Sequence, residues 1–346
     1  MSSIQKKTSY SLLELATVGV GSKPSDVFKN SLDLAQKAEK FGYKRFWLAE
    51  HHNMVSIASS ATSVLIGHIA GGTTKIRVGS GGIMLPNHSP LIVAEQFGTL
   101  GSLYPGRIDL GLGRAPGTDQ ATAHAIRSDR MNSVYKFPEE VSQIQQFFSP
   151  GNHTAKVRTT VAEGVEVPVY ILGSSTDSAY LAAEKGLPYA FASHFAPALL
   201  FDALQIYREK FQPSEFLKEP YTIACANIIA ADTDNEAEKI STSLIRMMFG
   251  VMTNNIDYMQ PPTELTSELR VLMQNPSFHR MLKYAFIGSK EAVKKQTEAF
   301  LKETGIDEIV AVSHIFNHSD RVNSYKIFSE IMKELNTLPT PVGSNS

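Results

Sequence analysis

The 346-residue sequence predicts a single (β/α)8 barrel with insertions after its fourth and seventh strands. Three observations lead there. Short apolar runs alternate with amphipathic segments along the whole chain, a pattern that favours parallel strands joined by crossover helices. Eight such runs can be counted, the number that closes a barrel. Glycine-rich and polar stretches fall just after the runs, where a barrel of this kind carries its working residues. Length alone would also allow two average domains, and an open doubly wound sheet is the alternative arrangement. No repeat or low-complexity linker marks a boundary, so one domain over residues 1–346 is expected, with a frayed tail from about 337 to 346.

The first strand is read at Tyr10 to Val18. Ser25 and Asp26 offer caps to a helix that runs to about Phe41, where Gly42 supplies the C-terminal stop. Arg45 to Ala49 is the second strand, followed by a helix from Ala58 to Gly71. Lys75 to Leu85 contains the third. Pro90 opens a helix lasting to about Leu103, and Pro105-Gly106 breaks it. Arg107 to Gly111 is the fourth. The alternation then lapses from Ala115 to Val167, a stretch expected to hold a helix near Ser133 to Phe148 and a polar hairpin at Ser149 to Val161. It resumes with strands at Val167 to Leu172, Tyr189 to Ala192 and Tyr221 to Ala230. Their helices end near Lys185, Phe211 and Met248. A second irregular stretch, Gly250 to Arg280, reads as an insertion at the barrel mouth. A helix from Ser289 to Thr304, the eighth strand at Glu308 to Val312 and a helix from His318 to Leu335 complete the pattern.

Composition narrows the function classes. Hydrophobic residues make up 42% of the chain, and 33 Lys and Arg against 34 Asp and Glu give a net charge of −1. Nothing in that balance predicts binding to nucleic acid or to an anionic membrane surface. No apolar run approaches a membrane span and no signal-peptide pattern opens the chain, so a cytoplasmic protein is expected. The single cysteine, Cys225, lies in a strand-like run and reads as a packed, inert thiol.

Three strand ends carry candidate chemistry. Trp47-Leu48-Ala49-Glu50-His51-His52 ends the second strand with three ionisable groups. His51 and His52 should point in different directions, and Glu50 could orient one ring. A titrating imidazole suits a general base or proton shuttle, so both histidines are catalytic candidates. A metal reading would need further ligands, for which His194, His314 and His318 are the available residues. Adjacent histidines on a strand share one ion poorly, and no metal is expected. After the third strand, Val78-Gly79-Ser80-Gly81-Gly82 removes side chains and would let a flat ligand lie on the backbone, or would simply bulge the strand at the rim. After the fifth, Gly173-Ser174-Ser175-Thr176-Asp177-Ser178 runs into a helix. Free N–H groups, the helix dipole and hydroxyls there favour a phosphate, although Asp177 would oppose one if it pointed inward. Arg114 leaves the fourth strand on a glycine-rich turn, placed to pair with that phosphate. The turn lacks the final glycine of a dinucleotide fingerprint, and no nicotinamide site is inferred. The combination suits a phosphorylated planar cofactor.

At these residues the sequence resembles the bacterial luciferase-like, flavin-dependent monooxygenases, over about Ser11 to Leu335. The runs Arg45 to His52, Arg77 to Pro86, Ala94 to Phe97 and Tyr104 to Arg114 carry the resemblance, in that order. It implies a barrel that binds FMN at its C-terminal mouth. It assigns proton handling to His51, with His52 in support, and a non-proline cis peptide to Ser80-Gly81. The grip on the FMN phosphate falls to Arg114, Gly173, Ser174, Ser175 and Ser178. It further implies reduced FMN supplied by a separate flavin reductase, reaction with O2 through a C4a-peroxyflavin, oxidation of a small organic substrate, and a homodimer. Ala115 to Ser133 and Gly250 to Arg280 are the expected lids. Gly113 stands where luciferase proper has a reactive cysteine, so light emission is not expected. A deazaflavin-dependent hydride transfer, or flavin binding without catalysis, are the other readings the same fold allows.

Overall fold

The computed structural model describes residues 7–115, 117–127 and 134–337. Its strands are β1 Ser9–Glu14, β2 Arg45–Leu48, β3 Arg77–Met84, β4 Ile108–Gly113, β5 Val169–Gly173, β6 Tyr189–Phe191, β7 Thr222–Ala231, β8 Ala285–Ser289 and β9 Glu308–Val312. Every pairing between them is parallel. Strands β1 to β7 pair in sequence order, β7 continues to β9, and β9 closes on β1. Those eight strands are the barrel, and all eight were legible as apolar runs. The ninth, β8, pairs only with the far half of β7, from Asn227↔Ala285 to Ala231↔Ser289.

The helices are α1 Pro24–Phe41, α2 Thr62–Gly71, α3 Pro90–Leu103, α4 Gln120–Ile126, α5 Phe137–Phe148, α6 Thr176–Glu184, α7 Leu200–Lys210, α8 Asp234–Met252, α9 Ser267–Gln274, α10 Pro276–Met281, α11 Lys290–Thr304 and α12 His318–Leu335. Gly42 stops α1 in the left-handed region at φ 89°. Ser25 and Asp26 do not cap it: Lys23 takes the N-cap position, and Pro24, which needs no backbone donor, begins the first turn. The hairpin expected at 149–161 is absent. Pro150 fixes a short 3-10 turn over Pro150–Thr154 instead, with Ser149 accepting from the Gly151 amide. The second irregular stretch contains α9 and α10 rather than open loop. Among the described residues no helix is long and apolar enough to cross a membrane. The tail beyond Thr337, together with Pro116 and residues 128–133 of the first expected lid, lies outside the described residues.

Period-two alternation sorts each strand into an outer and an inner face. Leu12, Phe46, Leu48, Val78 and Ile309 face the helices and join the main core. Leu13, Trp47, Ala49, Tyr170, Ala190, Ile223, Cys225, Val310 and Val312 fill the barrel interior. Burial and the nearby Glu308 carboxylate push the Cys225 thiol up to about 12, so it stays protonated at neutral pH. Below this plug, at the strands' N-terminal ends, Arg45 is enclosed by acids. It donates to Asp109 Oδ2 at 2.7 Å and to Glu308 through Nε (2.7 Å) and Nη2 (3.1 Å), and reaches the Tyr170 hydroxyl at 2.7 Å. Arg77 holds Asp109 from the rim, and Tyr221 donates to Glu308 at 2.7 Å. Burial alone would lower the Arg45 pKa; the charges of Asp109 and Glu308 outweigh it and hold the value well above the ordinary one.

Candidate active site

The C-terminal mouth is assembled from the ends of β2 to β7 and β9. The loop after β2 is organised by Glu50, which is buried and acts as a hub. Its carboxylate bonds His52 Nε2 at 2.9 Å and His88 Nε2 at 2.9 Å, and accepts from the Met84 amide (2.9 Å) and Asn87 Nδ2 (3.2 Å). Burial pushes the Glu50 pKa up, but the bonds from His52 and His88 prevail and bring it from 4.5 to about 2. The sign follows. A carboxylate whose folded pKa is depressed stabilises the fold above its unfolded value and loses that contribution as pH falls. Stability is therefore expected to drop between pH 4.5 and about 2. Glu50→Gln should flatten that part of the curve, as read by urea unfolding at stepped pH; an unchanged slope would refute the hub.

His51 and His52 do diverge. His52 turns to Glu50, while His51 sits with Nδ1 3.3 Å from the Gly117 carbonyl oxygen. Glu50 thus orients His52 and His88 rather than His51. His88 was not singled out from the sequence, since nothing at its position signals a partner 38 residues earlier. Burial lowers the His51 pKa, which leaves the ring neutral at pH 7 and able to accept a proton.

Two more rings share the space. His194, three residues past β6, and His314, two past β9, are buried, at 8% and 3% exposure. Burial lowers His194 to about 4 and His314 to about 3, and the charges that His51 and the two rings would place on one another push the same way. His318, the third sequence candidate for a metal, is elsewhere: it opens α12 and bonds Asp33 at 2.6 Å. Among the described residues no group of three His, Cys, Asp or Glu side chains is placed to hold one metal ion.

Ser80 and Gly81 occupy β3. The Ser80 hydroxyl donates to the Gly111 carbonyl (2.9 Å) and accepts from the Gly111 amide (3.0 Å), so it ties β3 to β4 rather than facing the mouth. Gly81 faces inward: a Cβ there would meet Leu13 Cδ1 at 2.8 Å and Trp47 Cβ at 3.1 Å. The cis peptide joins Gly81 to Gly82, one bond beyond the expected Ser80-Gly81.

The anion cradle forms after β5. Ser175 is the N-cap of α6, and no side chain caps the helix. Ser178 turns back to donate to the Ser175 carbonyl at 2.7 Å, and a Cβ on Gly173 would sit 1.9 Å from the Ser178 hydroxyl. Gly173, Ser174, Ser175 and Ser178 therefore form one tight turn. Arg114 reaches that turn from β4, with Nη2 3.0 Å from Asp177 Oδ2. Asp177 competes for the guanidinium that a phosphate would use. Both side chains are exposed, so the pair is worth under about 1 kcal/mol and yields readily. Asp177→Asn should tighten phosphate-dependent binding about two- to fivefold at low salt, by isothermal titration; weaker binding would mean that Asp177 helps to hold the ligand.

A parallel (β/α)8 barrel with an uncapped helix end, an arginine and a neutral histidine around one mouth defines a class of cofactor-binding enzyme folds. The comparisons specify it. Residues 9–308 match the family model for luciferase-like monooxygenases, and the chain belongs to that family. A luciferase-like monooxygenase of Escherichia coli (strain K12) is 46% identical, covering 95% of this chain and 98% of its own. The N-acetyl-S-alkylcysteine monooxygenase of Bacillus subtilis (strain 168) is 32% identical, covering 92% and 97%. The crystal structure of apo-MsnO8 superposes with a TM-score of 0.86 at 32% identity, covering 94% and 98%.

Proposed function

We propose that this chain is a flavin-dependent monooxygenase that takes reduced FMN from a separate reductase and uses O2 to oxidise a small organic substrate. The observation that carries the reading is the uncapped N-terminus of α6 facing Arg114 at the mouth that also holds His51. The residues fit FMN. The Gly173–Ser178 turn with Arg114 offers N–H groups, hydroxyls and one cation to a phosphate, and the Gly81 region of β3 offers a floor free of side chains. When bound, reduced FMN supplies the electrons that activate O2, delivering one oxygen atom to the substrate and releasing the other as water. The protein's part is to bind, orient and keep water out. His51, neutral and hydrogen-bonded to the Gly117 carbonyl, handles the proton; His52, fixed by Glu50, shapes the loop that carries it.

The test is an anaerobic titration with reduced FMN, with reduced riboflavin as the phosphate-free control. Binding that needs the phosphate and weakens in Arg114→Ala and Ser175→Ala supports the reading; no binding of either flavin overturns it. O2-independent turnover would instead favour a deazaflavin hydride transfer. A homodimer belongs to the same proposal, supported by the exposed apolar Val64 on α2 and Ile92 and Leu103 on α3. Sedimentation is expected to give twice the chain mass.

A further inference from the structure

The barrel mouth holds three buried polar atoms with nothing to bond. They are Nδ1 of His194, Nδ1 of His314 and Oδ1 of Asn227. Buried polar groups are paired in the great majority of cases, and an orphan costs about as much as a lost hydrogen bond. Three orphans on neighbouring strand ends are a collective feature. Asn227 lies on β7 and is fully buried. It follows Ile223 and Cys225 on the inward face of that strand, level with Val312 at the top of the apolar plug. Its orientation is fixed, because Nδ2 donates to the His194 carbonyl oxygen at 2.7 Å and a carbonyl can only accept. Oδ1 is therefore an acceptor without a donor.

The charge balance of this layer decides what it can hold. A neutral imidazole offers one donor and one acceptor, and burial disfavours the charged form of both rings. Arg321, whose charge also acts on His314, is neutralised by Glu14 through Nη2, although its buried Nε makes no bond. Glu50 is occupied by His52 and His88. His51 is neutral for the same reason as the other rings. Among the described residues, Arg321 and Glu50 each already carry a counter-charge, so an ionised ligand group would leave water without full compensation. An uncharged group carrying both a donor and an acceptor loses nothing of the kind.

We propose that His194, His314 and Asn227 form a substrate subsite, which grips an uncharged head group with adjacent donor and acceptor, of the primary or secondary amide class. The inference rests on the reading of this mouth as the oxygenation site. It assigns Asn227 Oδ1 to the amide N–H and the two imidazoles to the carbonyl and the remaining hydrogen.

The experiment uses three isosteric probes on the full chain: hexanamide, hexanoate and hexanamidinium at pH 7.5. Binding is followed by 15N-histidine NMR, which reads Nδ1 of His194 and His314 directly. Hexanamide is expected to shift both resonances and to bind at least tenfold more tightly than either ion. Asn227→Leu should weaken it roughly tenfold to a hundredfold, the loss of one buried hydrogen bond whose partner is left unpaired. His314→Gln, which keeps a neutral donor and acceptor, should retain most of the affinity, whereas His314→Phe should not. Equal binding of the three probes, tighter binding of either ion, or hexanamide binding that leaves both resonances unmoved would overturn the proposal. Should Asn227→Leu fail to fold, the probe ranking and the His314→Gln and His314→Phe comparison decide. Reduced FMN titrated into the unaltered chain in parallel separates the two levels. FMN bound without hexanamide defeats the subsite alone, while hexanamide bound without FMN defeats the flavin reading.

Discussion

His51→Ala is expected to lower turnover of an accepted substrate by about a hundredfold or more while leaving reduced-FMN affinity within twofold. General acid–base groups contribute roughly 10²- to 10⁴-fold. The ring is removed from a mouth whose phosphate cradle, at Gly173 to Ser178 with Arg114, it does not touch. The pH dependence has a defined sign. Because burial lowers the His51 pKa below its ordinary 6.5, the base form persists at pH 7, and the wild-type rate should fall only as pH drops beneath that value. In the variant that acid limb should disappear. Turnover within twofold of wild type in His51→Ala would mean that His51 is not the proton-handling group.

Arg45→Met should cost about 3 kcal/mol of stability, measured by urea unfolding at pH 7. Removing one member of a buried ion network leaves the remaining charges uncompensated, for which 3–5 kcal/mol is typical. The low end applies because Arg77 still serves Asp109, and Tyr221 and Lys44 still serve Glu308. Adding Glu308→Gln to Arg45→Met should recover part of the loss, since it withdraws the orphaned charge. A cost below about 1 kcal/mol, or a double variant weaker than the single, would show that the network is not held by Arg45.

The barrel was legible because its strands are buried on both faces and so read as nearly continuous apolar runs. Strand β8 was not. It is five residues long, pairs only with the far half of β7, and alternates half-buried and buried positions. The signal was that alternation, with Tyr284 and Phe286 on the covered side, but it lay against a stretch already irregular. Ser25 and Asp26 are good capping residues two and three positions too late, because Pro24 fixes where the helix begins. In the site, His51, Arg114 and the Gly173–Ser178 turn stood out as local motifs. Asn227 was missed although it is the one polar residue of β7 beyond Thr222, and that isolation was the available clue. His194 and His314 could be named but not joined, since 120 positions separate them and only ring closure brings β6 and β9 to one rim.

The interior of the barrel is stratified: ion pairs at the base, a hydrocarbon plug at mid-height, uncharged polar groups at the rim. The base and plug hold the ring closed, and the proposed subsite lies at the rim. Effects at sites with no shared partners add nearly independently. On the proposal above, Asn227, His194 and His314 govern which molecules are admitted, while the ion pairs at the base, which share no partner with them, carry a separate part of the folding energy. Under that proposal, ring closure and ligand choice are written into different heights of one barrel.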